Sequence, residues 1–311
     1  MTIYYFAANL SVTPSDFIAF NLAYGALTGA IMQLAGVVTG LASVKSQLDM
    51  IAPILKATPE MSENQIFVKE LTGNIDINNV SFKYDEEGAL ILNNISVSIK
   101  EGEYIAVVGT TGSGKSTLLR LLLGFEKPEA GAIYYDGQDI SSIDIKSIRR
   151  KIGVVIQNGK LISGDILSNI TASAPAATLE DAWNAAKAAG MDEDIRNMPM
   201  GMKTIISEGS GGLSGGQIQR IMIARAIISQ PKIIFFDEAT SALDNITQNI
   251  VAQSIEKLNA TRIVIAHRLS TIIHCDRIVV LDKGEIVEIG TYLELINSNG
   301  LFSEMAKRQL I

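Results

Sequence analysis

Residues 109–117 carry the densest chemistry in the chain: Gly109, Thr110, Thr111, Gly112, Ser113, Gly114, Lys115, Ser116 and Thr117. A glycine, four residues, then Gly-Lys-Ser is a spacing suited to holding a chain of phosphates. The glycines let consecutive backbone N–H groups turn inward around phosphate oxygens. A helix opening at the loop adds the partial positive charge of its amino end. Lys115 then reaches the β- and γ-phosphates as a point charge, and Ser116 offers its hydroxyl to Mg²⁺. Such a loop must be slung between a strand and a helix. The run 103–108 (EYIAVV) reads as a buried strand, and 118–123 (LLRLLL) reads as a helix stopped by Gly124. A glycine-rich turn that merely precedes Lys-Ser would not explain both neighbours.

A second place pairs two acids. Ile233, Ile234, Phe235 and Phe236 form an apolar run between Pro231 and Asp237-Glu238. That pattern suits a parallel strand whose carboxyl end opens on a ligand crevice. Asp237 fits the shell of Mg²⁺, directly or through water. Glu238, one residue on, is placed to polarise an attacking water. Alone, the two acids would read as caps of the following helix; beside a phosphate loop they read as catalytic. ATP and Mg²⁺ are the expected ligands.

The remaining composition narrows the class. Of 311 residues 47% are apolar, the net charge is −7 and no Lys/Arg run stands out, so a nucleic-acid partner is not expected. The single cysteine, Cys275, excludes a disulfide within the chain and reads as a small buried filler. Residues 17–44 contain no charge and include Gly25, Gly29, Gly36 and Gly40. A bilayer span needs about 20 residues, and four-residue glycine spacing suits helix packing in lipid. Lys45 and Lys56 follow the run while only Asp16 precedes it closely, which places its carboxyl end in the cytoplasm. A signal peptide would want a basic start, a shorter core and an exported product. Thr13, Pro14, Ser15 and Asp16 read as the turn that starts the helix. The expected layout is 1–52 as the remnant of a membrane domain, 53–72 as a polar linker and 73–311 as the nucleotide domain. One span cannot enclose a transport path, so the chain is a fragment of a longer protein or needs membrane partners.

Leu213, Ser214, Gly215, Gly216 and Gln217 precede an apolar helical run at 218–228. With the phosphate loop they make the chain resemble the ABC transporter ATPases, whose signature motif this is. Read physically, it is a second glycine-rich loop opening a helix, hence a second anion site. The resemblance implies an α/β fold: a P-loop NTPase cassette with a RecA-like core and mixed sheet, an antiparallel β part and an α-helical subdomain, preceded by a transmembrane helix. It implies a second cassette, identical or not, as partner, with two ATP molecules sandwiched between the pair. It also implies roles residue by residue. Tyr84 would stack on adenine. Gln157 would touch Mg²⁺ and sense the membrane domain. The run 241–244, ending at Asp244, would cross the dimer interface, and His267 would contact the γ-phosphate. For Glu208 two readings stand, a solvated acid and the acidic short loop that meets the membrane domain in exporters.

A span joined directly to a cassette is similar to exporters, which implies a bacterial cytoplasmic membrane, a multi-pass membrane domain and a cassette on the cytoplasmic side. The stretches 16–21, 52–60 and 157–166 are similar to exporters of peptides and bacteriocins that carry nitrile-hydratase-like leaders. A soluble ABC ATPase outside transport is the alternative, disfavoured by the span. A kinase would share the phosphate loop but has no use for the signature.

Overall fold

The computed structural model of the protein describes residues 13–57, 65–157, 159–207, 212–237, 245–266 and 269–309. It divides into one unit ending at Glu60 and a second beginning at Met61.

The first unit is a single helix, α1 (Pro14–Lys56). Its start follows the sequence. Thr13 is the N-cap and accepts from the Asp16 N–H, Asp16 reciprocates on the Thr13 N–H, and Pro14 stands at the first position, where no N–H is needed. The helix has 43 residues, which gives about 65 Å at 1.5 Å per residue. That is about twice a ~30 Å hydrocarbon layer. The expected span, 17–44, is its apolar part; the helix continues past Lys45, with Pro53 in its last turns. Apolar side chains such as Leu22, Leu27, Ile31 and Met32, which point to different sides of the helix, are all exposed. A Cβ at any of Gly25, Gly29, Gly36 or Gly40 would meet nothing within 4 Å. By length and composition the helix is able to cross a membrane.

In the second unit, β1 (Ile75–Phe82), β2 (Leu92–Ile99), β4 (Ala130–Tyr135) and β5 (Gln138–Asp139) form an antiparallel sheet in the order β2-β1-β4-β5. The larger sheet has the order β12-β11-β3-β10-β9-β6. It uses β3 (Tyr104–Gly109), β6 (Ile152–Val155), β9 (Ile233–Asp237), β10 (Thr261–Ile265), β11 (Arg277–Asp282) and β12 (Glu285–Gly290). Its strands are parallel except β12, which returns antiparallel beside β11. The helices follow in chain order: α2 (Lys115–Leu122), α3 (Ile145–Arg149), α4 (Ile166–Thr171), α5 (Leu179–Ala188), α6 (Asp192–Asn197), α7 (Gly215–Ile227), α8 (Asn245–Glu256), α9 (Leu269–Ile272), α10 (Tyr292–Asn297) and α11 (Leu301–Gln309). A short pair, β7 (Gly164–Asp165) and β8 (Ile205–Ile206), closes the helical part.

Strand alternation divides the core in two. Ala106 and Val108 of β3, Ile234 and Phe236 of β9, and Ile278 and Val280 of β11 join one cluster with α4, α5 and α7. Ile105 and Val107, Ile233 and Phe235, and Val279 and Leu281 join the other, with α2 and the antiparallel sheet. Side chains of period two account for this, and burial on both faces explains why these strands read as unbroken apolar runs. The residues expected as a linker, 53–72, divide three ways. Residues 53–56 complete α1, while Ile66 bridges Ile143 and Val68 and Leu71 are buried in the second unit. Between them, 58–64 lie outside the described residues.

Candidate functional site

The carboxyl ends of the parallel strands deliver most of the residues singled out above. β3 ends at Gly109, β9 ends at Asp237, and Gln157 follows β6 by two residues. The register keeps these ends level: Leu281 faces Gly109, Ile265 faces both Val107 and Asp237, and Phe236 faces Val155. Open α/β sheets bind ligands outside such ends.

The phosphate loop leaves β3 at Gly109 and enters α2 at Lys115. The Lys115 side chain is buried, and its Nζ donates to the Gly109 carbonyl at 2.9 Å and the Thr110 carbonyl at 2.8 Å. The loop therefore curls around an ammonium, a fixed positive charge inside a ring of backbone. Gly114 is the N-cap of α2 at φ +102°, and no side chain caps the helix. A helix start whose cap residue carries no side chain is the form that an anion site takes. A Cβ on Gly114 would lie 2.6 Å from Leu92 Cδ2 and 3.0 Å from the Ile91 carbonyl. With the left-handed backbone added, Gly114→Ala should lower unfolding stability by about 1–3 kcal/mol, read as a lower urea midpoint. It should weaken ATP binding in the same sample.

The loop has an outer wall that sequence reasoning missed. The Thr110 hydroxyl donates to Asp282 Oδ1 at 3.1 Å, and the Gly284 N–H donates to the Ser113 carbonyl at 3.2 Å. Gly284 is held in turn by the Asn93 N–H on its carbonyl at 2.8 Å. Lys283 and Gly284 have φ of 45° and 84°, the two left-handed positions of a tight hairpin turn. The signal was present as Asp-Lys-Gly between two apolar runs, which marks a hairpin but not what it rests on.

Tyr84 stands at the other end of the loop. Its ring is exposed, packs edge-on against Phe82 at 4.9 Å, and its hydroxyl lies 3.3 Å from Thr117 Oγ1. Ser116 is exposed in the first turn of α2, Asp237 is half-buried and Gln157 is exposed. These are hard oxygen donors, the set that Mg²⁺ prefers. Glu208, Glu238, Asp244 and His267 lie outside the described residues.

The signature run opens α7. Ser214 is the N-cap: its hydroxyl accepts from the Gln217 N–H at 3.2 Å, and Gln217 Oε1 accepts from the Ser214 N–H at 2.9 Å. Such reciprocal capping fixes the turn and leaves the Ser214 hydroxyl proton free to be donated. Ser214 and Gly215 are exposed, while Gly216 and Gln217 are partly so. The helix begins three residues earlier than the apolar run 218–228 implied, because Gly215, Gly216 and Gln217 form its first turn.

The two glycine loops open helices packed on opposite faces of the large sheet. Leu118, Leu121 and Leu122 of α2 belong to the cluster on one face, and Ile221, Ile223 and Ala224 of α7 to the cluster on the other. The only thiol, Cys275, sits just ahead of β11, and burial pushes it up to about 12.

Residues 92–241 match the family model described as ABC transporter. Over 296 residues the chain is 43% identical to the leukotoxin translocation ATP-binding protein LktB of Mannheimia glucosida, covering 94% of this chain and 42% of that protein. The protein of the same name from Bibersteinia trehalosi is 42% identical with the same coverage. The chain thus spans less than half the length of these curated relatives. Among solved structures, a bacterial Atm1-family ABC exporter with ATP bound matches with a TM-score of 0.81 and 36% identity, over 88% of this chain and 48% of that one.

Proposed function

We propose that the second unit is an ABC-type nucleotide-binding cassette of the exporter kind, and that the chain hydrolyses ATP in a two-cassette assembly and drives export across a membrane. One observation supports the two-cassette part: the phosphate loop and the signature turn open helices packed on opposite faces of one sheet. Two chains about a two-fold axis let each signature meet the other's nucleotide.

In this reading Tyr84 stacks on adenine, and residues 109–117 wrap the phosphates around Lys115. Ser214 and Gly216 of the partner then meet the γ-phosphate, so only the triphosphate closes the pair. Ser116, Asp237 and Gln157 hold Mg²⁺, which supplies positive charge against the phosphate oxygens. Glu238 orients and deprotonates the water, and His267 steadies the transferring group. Asp244 lies at the junction of the two chains, and Gln157 carries closure towards membrane helices.

α1 is then the last helix of a multi-pass domain in a bacterial membrane, with the cassette in the cytoplasm. The relatives named for leukotoxin translocation support a toxin as cargo. A peptide or bacteriocin with a nitrile-hydratase-like leader is the narrower form of that proposal, resting on the three stretches quoted above. A soluble ATPase working away from a membrane would leave α1 without a role.

Complementation tests the two-chain site. Lys115→Ala and Ser214→Arg chains are each inactive alone. Mixed, they form pairs in which one site has both an intact phosphate loop and an intact signature, so phosphate release returns, to about a quarter of wild type for random pairing. Mixed pairs that form and stay silent would refute the shared site.

A further inference from the structure

The first turn of α7 is tied to α6 through one carboxylate. Gln217 Nε2 donates to Asp194 Oδ1 at 2.8 Å, and Arg220 donates to Asp194 Oδ2 at 2.7 Å. Arg220 also donates to the Gly190 carbonyl at 2.5 Å and reaches the Gly216 carbonyl at 3.4 Å. The Arg220 and Asp194 side chains are 14% and 31% exposed, so the pair is only partly screened. Gln217 is the same residue whose Oε1 holds the Ser214 N–H and whose N–H holds the Ser214 hydroxyl. Asp194 therefore fixes the Gln217 side chain, and Gln217 fixes the direction of Ser214.

We infer that Asp194 is a positioning residue for the signature turn, aiming the Ser214 hydroxyl at the nucleotide held by the partner chain. This rests on the two-chain reading above. A carboxylate accepts from both donors at once; an asparagine offers one oxygen and serves only one of them; an alanine serves neither. A polar cavity of about 470 Å³, lined by Glu193, Asp194, Gly212 and Gln217 among others, opens beside the tie. Water can enter the space left by a shorter side chain, so the variants should fold.

The test uses the full chain. Asp194→Ala lowers kcat for ATP hydrolysis about tenfold and Asp194→Asn by less, while affinity for ATP alone, set by the chain's own phosphate loop, stays within about twofold. Mixed pairs with Lys115→Ala locate the loss. Such a pair has one working site, built from the other chain's phosphate loop and the Lys115→Ala chain's signature. Asp194→Ala added to the Lys115→Ala chain impairs that site; placed in the other chain it leaves the site intact. Equal losses in both placements, lost ATP affinity, or unchanged turnover would each overturn the assignment. Ser214→Arg in the same two placements is the control. If it silences neither, the two-chain reading fails first and the role of Asp194 falls with it.

Discussion

Lys115→Ala chains lose ATP turnover by about a thousandfold, the size expected when a main electrostatic contact to a transferring phosphoryl group is removed. The geometry gives the reason. The ammonium lies within hydrogen-bond reach of the Gly109 and Thr110 carbonyls, at the centre of the loop's curve. It is buried, so water screens it poorly and its attraction for an anion is strong. Alanine removes that cation and leaves two carbonyl oxygens turned towards the same place, which repel a phosphate. Lys115→Arg should recover little, because a planar five-donor fork does not fit a space built for a compact ammonium. Titration with ATP and a phosphate-release assay check both variants. Affinity and turnover near wild type would place the nucleotide elsewhere.

Glu238→Gln should lower turnover by about 10²–10⁴-fold yet leave ATP bound. In the proposed site the phosphates are held by residues 109–117, which the change does not touch. Glutamine keeps the size of the side chain and can still orient a water, but it does not take the proton. In the proposed cycle the paired state then persists, because its opening depends on hydrolysis. Single-turnover phosphate release and light scattering with ATP measure the two halves of this expectation. A fast variant would move the base to another residue. The assignment rests on chain order alone: Glu238 follows Asp237, which ends β9 level with Ile265 of the neighbouring strand.

Local features were legible in the sequence. The phosphate loop announced its strand and helix, the run 233–236 gave the strand that carries Asp237, and Thr13 to Asp16 gave the start of α1 at Pro14. Each is encoded within a few consecutive residues. What was not legible depends on distance along the chain. Thr110 and Asp282 are 172 residues apart, and Gln217 and Asp194 are 23 apart. No periodicity links such pairs; only the sheet order and the packing of α6 on the signature turn bring them together. Residues 65–72 were misleading for a related reason: the polar run 59–64 before them reads as a linker that includes them, yet Val68 and Leu71 reach into the core.

The chain contains one thiol, and Cys275 holds it buried with its ionisation suppressed. Thiol-directed reagents attack the thiolate, so the unaltered chain should remain unlabelled at neutral pH. A cysteine introduced at exposed Gly215 would then be the sole reactive handle. A pair of spin labels, one per chain, would report as a distance how far the two signature turns approach when ATP is added. No background mutations would be needed first.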